Sequence, residues 1–327
     1  MTVRELNRAL LGRQMLLARR RVSVPAALER LVALQAQYAP SPYIALWSRI
    51  ECFRKEQLDR ALSRGDAIKG GMMRNTLHVA HRAVYPQIAS AHAETMSGRA
   101  AAHGGAPDGV WAALPDTPLD REKLFALAGQ VLETADRQVI ASVLRMLPLV
   151  HTDPIGPWPH TKPSPAVRWR EPLPAPRKAI GEVVRRYLAA YGPATRQDIQ
   201  QFTGYKQREI EIALTGAREM SDGLYDVPRA LRPPPDAPAP VRFLPPYDSI
   251  ILAHRDRSRI LPDEYYETVI RRKNATTLGT FTADGFIAGS WKIDGARLHV
   301  APFAPLPAKW RRQVEDEGAR LKAFWNR

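Results

Sequence analysis

Cysteine is almost absent from this chain, because Cys52 is the only one among 327 residues. A single cysteine excludes an intrachain disulfide and any zinc module built on two or more cysteines. No apolar run reaches the roughly 18 residues that would span a bilayer, and charged residues interrupt the N-terminal segment every few positions. The sequence therefore predicts a protein of the reducing cytoplasm and disfavours secretion and membrane insertion.

Sequence signatures of nucleotide and metal chemistry are missing as well. The chain has no P-loop, no Rossmann glycine fingerprint, no nucleophile elbow and no two-carboxylate pattern. His78 and His81 form a His-x-x-His pair, and His151 stands two residues before Asp153, but neither pair has a nearby third ligand. We therefore expect neither a metal nor a cofactor.

Acidic residues are too few to balance the basic ones. The chain has 48 Lys and Arg against 33 Asp and Glu, which gives a formal net charge of +15 and a pI near 10.2. A charge of this sign attracts polyanions, and nucleic acid is the first partner to consider. Most of the basic residues are arginines, and an Arg- and Ala-rich composition also reflects a GC-rich genome, so charge alone does not decide.

The order of elements predicts a helix-rich α+β protein. The chain is longer than the roughly 100–200 residues typical of one domain, so more than one module is expected. The first predicted module, 1–81, has helices over 3–20, 24–34, 41–47 and 57–63, followed by a β-hairpin over 67–79. Helices followed by a hairpin is the order of a winged-helix module. The second predicted module, 82–176, has helices over 82–102, 120–134 and 137–146 and a proline-rich connector over 151–176.

The third predicted module, 177–327, contains a helix-turn-helix and a β-meander. Helices are expected over 177–191, 195–202 and 206–214, and the last of these carries Lys206 and Arg208 near its start. The meander over 278–300 is indicated by two Asp-Gly turns, Asp284-Gly285 and Asp294-Gly295, because this dipeptide permits the positive φ of a tight turn. A terminal amphipathic helix is expected over 306–325.

Two glutamines separated by one alanine stand at the predicted end of the second helix. Pro40 and Pro42 follow Gln35 and Gln37, and residues before proline disfavour helix, so an extended chain should point both amides to one side. An amide accepts a hydrogen bond from water and donates one to a phosphate or sugar oxygen. The pair could position a water, although two glutamines at a helix end are more commonly surface residues.

Longer strings in the sequence resemble a known family. The strings RQMLLARR, ALQAQYAPSPYIALWSRI, GGMMRNTLHVAH, VRFLPPYDSIIL and FTADGFIAGSW resemble those of the winged-helix DNA glycosylases of the AlkZ/YcaQ type, over nearly the whole chain. The resemblance implies tandem winged-helix modules in a C shape with a basic concave surface. It also implies that Gln35 and Gln37 are the catalytic Gln-x-Gln pair of the AlkZ branch, where the YcaQ branch has Gln-x-Asp.

The resemblance further implies excision of N7-alkylated purines, including bulky adducts and crosslinks, in repair or in self-resistance to DNA-alkylating natural products. Alkylation at N7 makes guanine cationic and weakens its glycosidic bond, so the leaving base needs little protonation. We expect Gln37 to orient water toward C1′ and Gln35 to hold that water or the sugar. The enzyme should be monofunctional and lack a deep pocket, because an open cleft avoids the cost of flipping a bulky base.

Contacts to the DNA backbone are expected from basic residues on three elements. The candidates are Arg74 on the first hairpin, Lys206 and Arg208 on the helix-turn-helix, and Arg271, Arg272 and Lys273 before the meander. The Asp284-Gly285 turn or the Asp294-Gly295 turn is the candidate for a hairpin that probes the duplex. Arg74 could instead pair with an acidic neighbour, and tight turns usually serve only topology.

The expected partner is double-stranded DNA carrying alkylated purines, bound by a monomer that is associated with the nucleoid and not with a membrane. Two alternatives remain open from the sequence. One is a non-catalytic winged-helix regulator that uses the 195–214 unit to bind an operator. The other is a drug-sequestering resistance protein whose cleft binds the free compound without DNA.

Overall fold

The computed structural model describes residues 1–102, 107–152, 154, 158–271 and 276–327. The helices of this part are α1 Val3–Arg13, α2 Val24–Leu31, α3 Ser41–Arg49, α4 Lys55–Ser63, α5 Tyr85–Ala102, α6 Pro107–Ala113, α7 Arg121–Val131, α8 Arg137–Leu144, α9 Pro176–Tyr191, α10 Arg196–Thr203, α11 Gln207–Ala213, α12 Ser249–Leu252, α13 Tyr266–Val269 and α14 Ala308–Asn326. The strands are β1 Ala33–Gln35, β2 Ala67–Gly71, β3 Leu77–His81, β4 Leu149–His151, β5 Ala166–Arg168, β6 Arg218–Glu219, β7 Tyr225–Asp226, β8 Arg242–Leu244, β9 Ile270–Arg271, β10 Thr276–Thr277, β11 Gly279–Ala283, β12 Phe286–Asp294 and β13 Arg297–Pro302. The helix-rich α+β class predicted from the sequence is confirmed.

The first two helices are shorter than the sequence predicts. The pattern extends the first helix to residue 20, whereas α1 ends at Arg13 because Met15 adopts a left-handed φ of 58°. The second helix is predicted to reach residue 34, but Val32 has a φ of 67° and the chain enters strand β1 at Ala33. Leu34 is buried by the strand, which is why it fits the apolar stripe of the predicted helix.

A five-stranded antiparallel sheet contains the first predicted hairpin. Its strand order is β1-β3-β2-β4-β5, and β2 and β3 form the hairpin that the glycine-rich stretch predicts. The sequence predicts a connector without regular structure over 151–176. Part of that segment instead forms β5, which pairs with β4 and extends the sheet, because a three-residue strand is too short to show a period.

The pairing of β1 with β3 lies between two hydrophobic cores. Ala33 faces Ala80 across the pair, and both belong to a core that includes α1, α5 and α9 to α11. Leu34 faces Val79, and both belong to a core built by α2 to α4, the C-terminal sheet and α14. Successive strand residues point to opposite faces, so β1 is anchored on both sides.

A third core joins α6, α7 and α8 to β4 and β5. The two larger cores both mix residues from the predicted segments 1–81 and 177–327. The division into modules 1–81, 82–176 and 177–327 stays a prediction.

Helices α10 and α11 form the predicted helix-turn-helix. Thr195 caps α10 in a capping box with Asp198, whose side chain in turn accepts a hydrogen bond from the N–H of Thr195. Gly204 ends the helix with a left-handed φ of 78°, and Lys206 is the N-cap of α11. The small hairpin of β6 and β7 follows, so helices precede a hairpin here as they do at the first one.

The β2–β3 and β6–β7 hairpins also have turns of the same conformation. The segments Met73–Asn75 and Ser221–Gly223 are single 3₁₀ turns, and the central residue of each has a left-handed conformation. The φ and ψ angles are 56° and 26° at Arg74 and 64° and 25° at Asp222. The winged-helix pattern therefore occurs at least twice in the described chain.

The C-terminal β-meander has the strand order β13-β12-β11-β8. Asp284 and Gly285 both have positive φ, 49° and 86°, as a type I′ turn requires. The second turn lies one residue later than predicted, because Asp294 pairs with Arg297 at the strand ends and Gly295 begins the loop with a φ of 57°. Helix α14 packs on this sheet.

Candidate active site and DNA interface

Strand β1 places Gln35 inside the protein, directly opposite β3. Gln35 is in register with His78, and 7% of it is exposed. Its Oε1 has no hydrogen-bond partner in the part of the chain that the structure describes. Most buried polar groups are hydrogen-bonded, so an unpaired buried acceptor needs an explanation. The Oε1 is available to a small donor such as water.

Gln37 lies just beyond the paired part of the chain. Pairing continues through Ala36, whose N–H donates to the carbonyl of Leu77 at 2.7 Å, and the chain bends at Gln37. The exposed side chain of Gln37 accepts a hydrogen bond through Oε1 from the N–H of Leu77 at 3.4 Å. The sequence predicts that both amides face one space. The structure instead has one buried and one exposed amide, both against β3, because the extended chain ends at Ala36.

A buried ion pair supports β1 from behind. The guanidinium of Arg49 donates to both carboxylate oxygens of Asp248, at 2.8 and 2.9 Å, and both side chains are fully buried. The next residue, Ser249, donates through Oγ to the carbonyl of Ala33 at 3.2 Å. The segment that contains Asp248 and Ser249 is thereby joined to the segment that contains the glutamine motif, although Arg49 and Asp248 are 199 residues apart in the sequence.

His78, which the sequence analysis weighed only as a metal ligand, is a functional candidate of another kind. It is 1% exposed, and its Nδ1 lies 3.0 Å from the carbonyl oxygen of Thr76. Burial, and then the positive charge of Arg74, lower the pKa of His78 to about 3. The imidazole is therefore neutral at physiological pH. Within the described ranges, no group of three or more His, Cys, Asp and Glu side chains gathers around a possible metal position.

Tyr38 is the exposed neighbour of Gln37. Its exposed fraction of 40% is high for an aromatic residue, and it directly precedes the turn into α3. An exposed aromatic ring on a surface that binds nucleic acid can stack on a nucleobase. Sequence reasoning missed Tyr38, because one tyrosine carries no pattern and its exposure depends on the bend after β1.

Arg74 is not free for the phosphate contact that the sequence suggests. Its guanidinium donates to the carbonyl of Phe202 at the end of α10, and Cζ lies 5.2 Å from the centre of the Phe202 ring. Burial lowers the pKa of Arg74 to about 10. Arg74 therefore joins the β2–β3 hairpin, which is the first wing, to the helix-turn-helix. This contact spans 128 residues and leaves no local sequence signal.

Lys206 and Arg208 lie where a recognition helix would meet DNA. Both are exposed at the start of α11. The capping box of this helix uses the backbone N–H of Lys206 and the carboxylate of Glu209, at 2.8 Å. The ammonium of Lys206 is not needed for the cap, so the first turn can present its positive charge outward.

The third basic group is described only in part. Arg271 is exposed in β9, which pairs with β10 as a short hairpin. Arg272 and Lys273 lie outside the described residues. Because Arg271 is exposed on this hairpin, it stays a candidate for a phosphate contact.

The two tight turns differ in their surroundings. The Asp284-Gly285 turn is held by α1: Arg8 donates to the Asp284 carboxylate at 2.6 Å, and Asn7 donates to the Gly285 carbonyl at 2.8 Å. This turn is a structural anchor and is poorly placed to probe DNA. Among the described residues, no atom beyond the neighbours of Gly295 in the chain lies within 4 Å of the place where its Cβ would be. The exposed turn that contains Gly295 remains the candidate for a probing hairpin.

Together, the helix-turn-helix with exposed cations, the repeated wing pattern and the net charge of +15 define a DNA-binding protein of winged-helix architecture. The family model described as "DNA glycosylase AlkZ-like" matches residues 28–324, and the chain belongs to this family. It is therefore a DNA N-glycosylase. Membership favours this enzyme over the non-catalytic regulator and the drug-sequestering protein.

A solved structure has the same fold. The chain is similar to Streptomyces sahachiroi DNA glycosylase AlkZ, with a TM-score of 0.79, 21% sequence identity, and coverage of 99% of this chain and 97% of the other. None of the curated proteins is significantly similar to it in sequence. In the described part of the chain, no helix is both long and apolar enough to cross a membrane.

Proposed function

We propose that this DNA glycosylase acts as a monomer and hydrolyses the N-glycosidic bond of N7-alkylated purines, including bulky adducts, in DNA repair or self-resistance. The observation that carries the proposal is the pair of neutral amides at Gln35 and Gln37, next to the first wing. A cationic N7-alkylpurine is a good leaving group, so its departure needs little acid catalysis. Neutral side chains that orient water are then sufficient.

The two amides have different parts in this proposal. The Oε1 of Gln37 accepts one long hydrogen bond, from Leu77 at 3.4 Å, and keeps a second lone pair, while Nε2 makes no hydrogen bond within the described ranges. The exposed amide can therefore accept from the attacking water and donate to the sugar. Attack at C1′ builds positive charge on the sugar ring, and an amide oxygen directed at the water favours that transition state. The amide of Gln35 holds the attacking water or the sugar, and its buried Oε1 still lacks a donor among the described residues.

A small cavity adjoins Ala36, between the two glutamines, although its lining includes neither of them. The cavity that reaches Ala36 is lined by Tyr43, Val79 and His160, among others, and measures about 20 Å³. A water needs roughly 10–15 Å³ of such volume, so a purine is far too large for it. A lesion left in the duplex also avoids an unstacking cost of a few kcal/mol.

The test compares two glutamine variants on a duplex with one N7-methylguanine, followed by alkaline cleavage at abasic sites. We expect Gln37→Ala to lower the single-turnover rate on the order of 100-fold, as removal of one transition-state hydrogen bond does in other enzymes. The control is Gln138→Ala, at an exposed glutamine on α8, which should keep the full rate. Full activity of Gln37→Ala would contradict the assignment.

A further inference from the structure

The register of the first sheet aligns three residues in one row. Gln35 of β1 faces His78 of β3, which in turn faces Gly70 of β2. Residues directly opposite each other in an antiparallel pair point to the same face, with Cβ atoms roughly 4.5–5.5 Å apart. The row lies on the face of Ala33 and Ala80, in the core that includes α5 and α9.

The hydrogen bond of His78 fixes which ring nitrogen carries the proton. Nδ1 lies 3.0 Å from the carbonyl oxygen of Thr76, which can only accept, so Nδ1 is the donor. The ring is neutral, as its lowered pKa requires, and Nε2 is therefore left with a lone pair. No hydrogen bond to Nε2 is found in the described part of the chain.

Gln35 Oε1 is buried without a partner in the described part of the chain. His78 occupies the neighbouring cross-strand position, and with its proton on Nδ1 its Nε2 is a second acceptor. Two acceptors cannot bond to each other, whereas a water can donate one proton to each. Gly70, the third member of the row, has no room for a side chain, because a Cβ there would lie 2.8 Å from the carbonyl oxygen of Leu149 and 3.1 Å from the Tyr85 ring.

We propose that His78 is a positioning residue of the glycosylase, which holds a buried water between its Nε2 and the Oε1 of Gln35 and so fixes the amide of Gln35. The inference rests on the proposed function, in which Gln35 takes part. With Oε1 held by this water, the amide group of Gln35 has one orientation. An amide that is free to rotate would hold the water at the sugar for only part of the time.

Two replacements of His78 separate this role from packing. In His78→Asn, the shorter amide can still donate to the carbonyl of Thr76 but leaves the Nε2 position empty. In His78→Gln, the longer amide places a polar atom near that position. We expect His78→Asn to lower the single-turnover rate about tenfold, the effect of one hydrogen bond, and His78→Gln to stay within about threefold of wild type. The affinity for undamaged duplex should not change in either variant.

A double-mutant cycle with Gln35→Ala shows whether His78 acts through Gln35. We expect His78→Asn to have no further effect on the rate once Gln35 is alanine. Multiplying losses would overturn the inference while leaving the role of Gln35 intact. Full activity of Gln35→Ala would instead overturn the role of Gln35 and the inference with it.

A measurement on the wild-type chain needs no variant and covers the case in which His78→Asn does not fold. A high-resolution crystal structure should show a water within hydrogen-bonding distance of both Gln35 Oε1 and His78 Nε2. A direct contact between the two side chains, or a gap without water, would contradict the inference.

Discussion

Replacing Asp248 with alanine should leave the charge of Arg49 unpaired in the core behind β1. Both side chains are fully buried and joined by two hydrogen bonds. Removing one partner of such a pair lowers the free energy of unfolding by about 3–5 kcal/mol. Asp248 also accepts a hydrogen bond from the N–H of Ile250 as the N-cap of α12, which adds about 1 kcal/mol.

The matched control is Glu51→Ala, which removes an exposed ion pair with Arg21. The Arg21 and Glu51 side chains are 85% and 43% exposed, so water screens the pair and its loss should destabilise the protein far less than the loss of Asp248. Urea unfolding measures both variants, with the m-value as a check that the unfolded states are comparable. A loss for Asp248→Ala no larger than that for Glu51→Ala would refute the reasoning.

Three further outcomes are expected. Lowering the pH from 7 to 5 should cost about 2 kcal/mol of unfolding free energy through His78, because the unfolded chain takes up a proton below a pKa of 6.5 whereas the folded residue does so only near 3. The effect fades above about pH 7, where the unfolded residue is also neutral. Urea unfolding of His78→Gln should show a smaller pH dependence, and equal dependences would contradict this role of His78. Lys206→Ala and Arg208→Ala should each weaken DNA binding and lower the slope of log affinity against log salt by about one, and an unchanged slope would place these residues away from DNA. Tyr38→Ala should weaken binding of the damaged duplex by about 1–3 kcal/mol in a fluorescence titration, whereas Tyr38→Phe should bind normally; equal binding by both would exclude stacking.

Local chemistry in the sequence is sufficient to predict many of the element boundaries. Thr2 and Thr195 begin α1 and α10 through capping boxes, and Asp284-Gly285 has the two positive φ angles that the dipeptide predicts. These features depend on residues within three positions of each other. Short-range patterns therefore located the helix starts and one turn of the meander.

Long-range contacts account for what the sequence did not reveal. The left-handed Val32 turns the chain into β1, although a β-branched residue gives no local reason for that conformation. The position of His78 opposite Gln35 depends on strand pairing across 43 residues. The sequence offers Arg74 as a phosphate contact or as the partner of an acidic neighbour, whereas its guanidinium donates to the carbonyl of Phe202 at the end of α10. Each of these depends on a partner that is distant in the sequence.

The most direct test of the central claim is to detect the released base. A duplex that carries one N7-methyl-2′-deoxyguanosine is incubated with the full chain under single-turnover conditions, and the small-molecule products are analysed by mass spectrometry. We expect one free N7-methylguanine and one abasic site for each lesion consumed, with an intact DNA strand before alkaline treatment. Binding of the duplex without release of the base would contradict that claim.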